Sequence, residues 1–145
     1  MADTFTCSWP ELDITVRLEP LGDNKELFDW FVGNLPTSAV QSHAVVSGEL
    51  TYVLNLPLKN PLTLQYEDFV KHDLMESDVG YAWTFATFGN VGSLMLKYGH
   101  MTEPMAYPGF ARVVEEDLPL LRQAGEEIWD AIYNTKRIIT VFVDK

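Results

Sequence analysis

The sequence predicts a mainly β fold, a closed barrel of about eight short strands with two α-helices. Three observations lead there. Short apolar segments follow one another with Gly, Asn, Asp and Pro between them, rather than with regular crossover helices. Gly48 interrupts strand-like sequence, as an interior glycine often does at a barrel corner. Apolar residues recur at helical spacing in two stretches. Closure would also remove the exposed edges that an open sheet must protect.

The elements follow in order. Phe5 to Trp9 alternates weakly and stops at Pro10. Asp13 to Leu18 reads as a strand with Ile14, Val16 and Leu18 on one face. After the turn Gly22-Asp23-Asn24, Asp23 or Asn24 can cap a helix from Lys25 to about Asn34, whose stripe is Leu27, Phe28, Phe31 and Val32. Gly33 and Pro36 end it. Strand character begins at Ser42, runs through Ala44-Val45-Val46, bends at Gly48, and resumes from Leu50 to Leu56. Residues 59–79 give no regular pattern. Tyr81 to Phe88 is an aromatic strand with Tyr81, Trp83, Phe85 and Thr87 on one side. The turn Gly89-Asn90-Val91-Gly92 leads to a strand from Ser93 to Tyr98, and a further strand covers Phe110 to Val114. Asp117 can cap a second helix with Pro119 in its first turn and a core face of Leu121, Ala124, Ile128, Ala131 and Ile132. Asn134 stops it, and Arg137 to Val143 is a closing β-branched strand.

A length of 145 residues suits one domain, so residues 1–145 are expected to form a single unit that needs no staples. Cys7 is the lone cysteine and has no partner for an internal disulfide. With no leader pattern at Met1 and no apolar run of the roughly 18 residues that span a bilayer, the expected location is the cytoplasm. Acids outnumber bases by 21 to 10, a net charge of −11 that repels phosphate backbones and anionic lipid. Partnership with nucleic acid or membrane is therefore not expected; a homo-oligomer stays open. His43, His72 and His100 lack metal-ligand spacing, Ser47-Gly48 lacks a nucleophile elbow, and Gly89 to Gly92 lacks the lysine of a phosphate loop.

Three local segments carry a resemblance: Leu35 to Glu49, Gly89 to Ser93, and Phe110 to Glu115. With the element order, they resemble the cyclophilin barrel. The isomerase signature is missing, however. At the site where cyclophilins carry Phe-His-Arg-Val this chain reads Ser42-His43-Ala44-Val45, so no guanidinium is present to polarise a prolyl amide. The chain is not expected to be a prolyl isomerase.

The segments Trp9 to Leu18, Asn34 to Tyr52, Lys97 to Pro104 and Val113 to Ile138 together resemble the cyclophilin-like domain of cucumopine synthase and the stand-alone bacterial Pictet–Spenglerases related to it. That resemblance implies condensation of a histidine- or tryptophan-type amino acid with an aldehyde or an α-keto acid such as 2-oxoglutarate, as in alkaloid biosynthesis. It implies an iminium, ring closure, and neither a metal nor an organic cofactor.

Such chemistry needs a proton donor and acceptor, groups that hold carboxylates, an aromatic wall and a dry pocket. His43 is the first choice for proton transfer because its ordinary pKa lies near neutrality. Glu49 is a partner base, and Glu103 and Lys97 are further catalytic candidates. Tyr98, His100, Trp83, Phe85 and Arg112 are candidate substrate-binding residues. Each has a plainer reading: a backbone-bonded histidine, solvated charges at a strand end, barrel core for Trp83 and Phe85, and an ion pair for Arg112. Trp129 reads as helix packing and His72 as an exposed side chain. A barrel that captures a small molecule without turnover, and an interaction module descended from prolyl isomerases, are the alternatives to an enzyme.

Overall fold

Alternation along the strands decides which residues enter the barrel. A computed structural model describes residues 3–60, 66–84 and 91–145. The elements are β1 (Phe5–Trp9), β2 (Ile14–Pro20), α1 (Lys25–Gly33), β3 (Thr37–Val40), β4 (Ser42–His43), β5 (Gly48–Pro57), β6 (Lys71–Asp73), β7 (Tyr81–Trp83), β8 (Val91–Met101), β9 (Ala106–Val113), α2 (Leu118–Tyr133) and β10 (Thr140–Asp144). In β2, Ile14, Val16 and Leu18 are buried while Thr15 and Arg17 are exposed, as a period of two requires. The pairings join β3-β10-β1-β2-β9-β7-β8-β5-β4 in one sheet, with β6 added on β9.

The two ends of that sheet belong to one stretch of chain. Gln41 alone separates β3, which pairs with β10, from β4, which pairs with β5. The sheet is therefore a nearly closed barrel, and counting that stretch once gives eight strands around it. Gln41 holds the seam. Its N–H donates to the Ile139 carbonyl at 2.8 Å, and its Oε1 accepts from Trp9 Nε1 at 2.9 Å. Its Nε2 donates to the carbonyls of Ser42 and Tyr52 at 2.8 and 3.2 Å. A buried amide with all these groups paired stabilises the seam rather than weakening it.

The main core fills the barrel. Phe5, Phe28, Phe31 and Phe110 meet there, with the Phe31 and Phe110 rings 4.8 Å apart. α1 contributes Leu27, Phe28 and Phe31 to it, and α2 contributes Leu121, Ala124, Ile128 and Ala131. Leu50, Leu74, Trp83, Met95 and Met101 form a second cluster.

Several expectations need correction. Strand structure starts at Thr37, not Ser42. Residues 44–47 turn between β4 and β5 instead of continuing a strand, and Val45 and Val46 stay 69% and 70% exposed. The expected bend at Gly48 is present: its φ of +123° suits glycine, and the β5–β8 register shifts beside it. Neither helix is capped by a side chain. Asn24 instead donates to the carbonyls of Val70 and Gly109, and Asp117 accepts from the Arg17 backbone and guanidinium. Polar groups predicted for local caps are diverted to long-range ties. Residues 59–79 contribute β6 and the buried Leu74. The part of the expected aromatic strand beyond Thr84, with Phe85, lies outside the described residues, as do Gly89 and Asn90; Val91 and Gly92, expected in a turn, begin β8.

Candidate active site

His43 sits at the closing edge of the barrel, on β4, and is only 3% exposed. Its Nδ1 lies 2.7 Å from the Ala44 carbonyl, and its Nε2 lies 2.6 Å from the Tyr98 hydroxyl. A carbonyl only accepts, so the neutral ring carries its proton on Nδ1 and accepts from Tyr98 through Nε2. Burial lowers the His43 pKa below its ordinary value, with the Ala44 bond and the charge of Glu49 opposing in part. The Tyr98 hydroxyl is pushed up to about 12, chiefly by burial and further by Glu49. At neutral pH the pair is an uncharged O–H···N couple.

Tyr98 reaches His43 because β8 is irregular opposite β5. Gly48 pairs with Met101 and Leu50 with Lys97, so three residues of β8 face Glu49 alone. Glu49 occupies that gap and accepts the His100 backbone N–H at 2.9 Å. It also pairs with Arg122 of α2 at 2.7 Å. The Arg122 hydrogen bond, then the His100 N–H, hold the Glu49 carboxyl below its usual range. Arg122 continues to Glu126 at 3.3 Å and lies over the Tyr98 ring at 5.3 Å.

Two glycines make room for this arrangement. A Cβ on Gly99 would collide with the Glu49 carboxylate and the Arg122 guanidinium, and one on Gly125 would enter the Tyr98 ring. The site is thus moulded by missing side chains on β8 and α2.

These residues surround a cavity of about 550 Å³, also lined by Val45, Val46, Thr102, Trp129, Asp130 and Asn134. Trp129 meets the His43 ring edge to face at 5.0 Å and is 39% exposed. The volume matches that of small-molecule sites, which run from roughly 300 to 1,000 Å³. The charged groups on its wall are Glu49, Glu126, Asp130 and Arg122, an excess of carboxylate that favours a cationic guest.

Among the sequence candidates, His43, Glu49 and Tyr98 line this cavity together. Lys97, the next residue on β8, donates to the carbonyls of Leu74, Met75 and Ser77 and ties the turn after β6. Burial lowers its pKa, opposed by Asp78, Asp73 and Glu76. His100 contributes its backbone to Glu49 while its side chain is exposed, and Glu103 is half-buried in a bend after β8; neither lines the cavity. Trp83 is fully buried and donates to the His72 carbonyl. Arg112 pairs with Glu19 at 3.1 Å on the outer surface. His72, read as exposed, is held between Asp23 and the Gly109 N–H.

The α2 residues Arg122, Glu126, Trp129 and Asp130 were not anticipated. The signal was available: they recur at spacings of four, three and one, on the stripe that the core residues of α2 leave uncovered.

Searches with family models and among curated proteins return no match. Among solved structures, McbB in complex with tryptophan superposes with a TM-score of 0.81 at 30% sequence identity. The match covers 97% of this chain and 44% of that one, so the chain spans less than half the length of McbB. Among the described residues, no helix is long and apolar enough to cross a membrane.

Proposed function

We propose that the protein catalyses a Pictet–Spengler-type condensation of a tryptophan- or histidine-type amino acid with an aldehyde or α-keto acid, without a cofactor. The observation that carries this reading is the His43–Tyr98 couple, which lines one half-open cavity with three carboxylates, a guanidinium and the Trp129 ring. The likeness to McbB, seen with tryptophan, and the resemblance of Trp9 to Leu18 and Val113 to Ile138 to cucumopine synthase support it.

The reaction begins with a substrate ammonium, which the carboxylate-rich wall attracts. The Tyr98 oxygen takes a proton from the ammonium while the Tyr98 hydroxyl proton passes to His43 Nε2. His43 becomes an imidazolium whose Nδ1–H remains on the Ala44 carbonyl. The freed amine attacks the carbonyl carbon. The imidazolium returns its proton through Tyr98 to the departing hydroxyl, which leaves as water, and an iminium remains. The electron-rich ring carbon then attacks the iminium carbon. The neutral couple accepts the ring proton by the same route, the ring regains aromaticity, and the couple passes that proton to the new secondary amine, which leaves as an ammonium and restores the neutral pair.

Every intermediate between the loss of water and the loss of the ring proton is cationic. Glu49, Glu126 and Asp130 are fixed where they stabilise that charge, and Glu49 stays ionised because Arg122 and the His100 N–H hold it so. Trp129 is the wall on which an indole or imidazole ring stacks. Arg122 is the cation available to a substrate carboxylate. A lone buried thiol at Cys7 suits the cytoplasm as the place of reaction.

Incubating the protein with L-tryptophan or L-histidine and a panel of aldehydes and keto acids, with mass spectrometry of the products, tests the proposal. A product equal to the two reactants less one water is expected, and its yield falls ~10²-fold or more in Tyr98→Phe. No product across the panel would leave a barrel that binds without turnover.

A further inference from the structure

His43 lines a second hollow. Adjoining the first at the 44–47 turn is a cavity of about 360 Å³, walled by Leu50, Tyr52, Met95, Met105 and Tyr107. It shares His43, Val45 and Val46 with the larger cavity. The two chambers differ in chemistry. Carboxylates and a guanidinium line the first, whereas no formally charged side chain lines the second among the described residues.

We infer that the second chamber is the subsite for the carbonyl reactant, and that it selects an uncharged aldehyde with an apolar tail. This inference rests on the condensation proposed above and specifies one of its reactants.

A keto acid or acidic aldehyde placed there would lose the hydration of its carboxylate and find no cation in return. The Arg122 guanidinium lines the first chamber and not the second. An apolar tail gains from the same walls. A cavity on the order of 150 Å³ accepts benzene, so the second chamber has room for a branched alkyl or aryl group. Methionines make such a wall adaptable to shape.

The chambers adjoin at His43, Val45 and Val46. In this reading an amine in the first and an aldehyde in the second come together along that border, beside the His43–Tyr98 couple. Val45 and Val46 stand at both chambers with 69% and 70% of their surface exposed, apolar area that a bound pair of reactants would cover. The step balances without an oxidant. The N–C bond forms, the aldehyde oxygen leaves as water, the ring carbon bonds to the former aldehyde carbon, and one ring proton departs.

The test compares two aldehydes of equal length and the same reacting group, 4-methylpentanal and 4-oxobutanoate, with the amine the protein accepts. A kcat/KM at least ~10-fold higher for 4-methylpentanal is expected. In Met105→Trp, which narrows the chamber, the ratio of the values for 4-methylpentanal and acetaldehyde falls at least ~10-fold. Equal or better turnover of 4-oxobutanoate would overturn the inference, as would an unchanged ratio in Met105→Trp. A second arm needs no catalysis. The alcohol 4-methylpentan-1-ol should shift the NMR methyl signals of Met95 and Met105 in the wild type and bind more weakly to Met105→Trp. If no aldehyde reacts yet the methyls shift, the condensation fails while the apolar subsite stands; if the methyls stay unmoved, the subsite itself is wrong.

Discussion

The α1 side of the barrel and the α2 side are built on opposite principles. Around α1, the rings of Phe5, Phe28, Phe31 and Phe110 fill the interior with centroids as close as 4.8 Å. Around α2, glycines at 99 and 125 withhold side chains, and the space goes to Tyr98, Glu49 and Arg122 beside a hollow. The first arrangement maximises contact, which is where stability comes from. The second leaves contact unmade and gathers polar groups in a half-dry place, which is where chemistry becomes available. The same barrel carries both because the packed side holds the strands that aim the hollow side.

The contrast can be broken most strongly at the packed side. Phe31→Ala should cost about 4 kcal/mol of unfolding free energy, read from urea denaturation, because a fully buried ring is replaced by a cavity. At the boundary, Gly125→Val should cost about 2 kcal/mol by driving a side chain into the Tyr98 ring. Unlike Phe31→Ala, it should also displace the His43–Tyr98 bond and abolish product formation in a protein that is still folded. On the hollow side, Trp129→Ala should change stability by less than about 1 kcal/mol, since the ring is 39% exposed, while raising the KM for the aromatic amino acid.

The packed side was legible in the sequence because packing leaves a period. Ile14, Val16 and Leu18 alternate, and Leu27, Phe28 and Phe31 recur at helical spacing. The hollow side was legible only in pieces. His43, Glu49 and Tyr98 could be singled out by residue type, but their meeting depends on a register shift beside Gly48 that no local pattern encodes. Lys97 stood next to Tyr98 in the same polar cluster and went elsewhere, because successive strand residues point to opposite faces. Arg122 and Trp129 were hidden by the reading of α2 as a core helix, although its outer stripe carried them. The caps failed for a related reason: a short polar side chain fits a helix end or a distant partner equally well, and only the fold decides between them.

Acid sharpens the same comparison. Asp117, tied to Arg17, and His43 both have lowered pKa values in the folded protein, from the Arg17 hydrogen bond and from burial respectively. A lowered folded value means that the unfolded chain binds the proton more readily, so stability is full above the ordinary value and is lost as pH falls through the folded one. Thermal melts should therefore show a first, small loss below the ordinary His43 value of 6.5 and a second below the Asp117 value of 3.8. His43→Ala should remove the first, and Asp117→Asn should shrink the second, to which Glu49 and Glu11 also contribute through their lowered values.

The central claim is that the neutral His43 ring, working through Tyr98, carries the protons of the condensation. The pH dependence of product formation, measured in the wild type and in His43→Ala, tests it most directly. The account predicts a wild-type rate that holds at neutral pH and falls along an acid limb lying below 6.5, and a rate ~10²- to 10⁴-fold lower without that limb in the variant. An unchanged rate and the same limb in His43→Ala would contradict it.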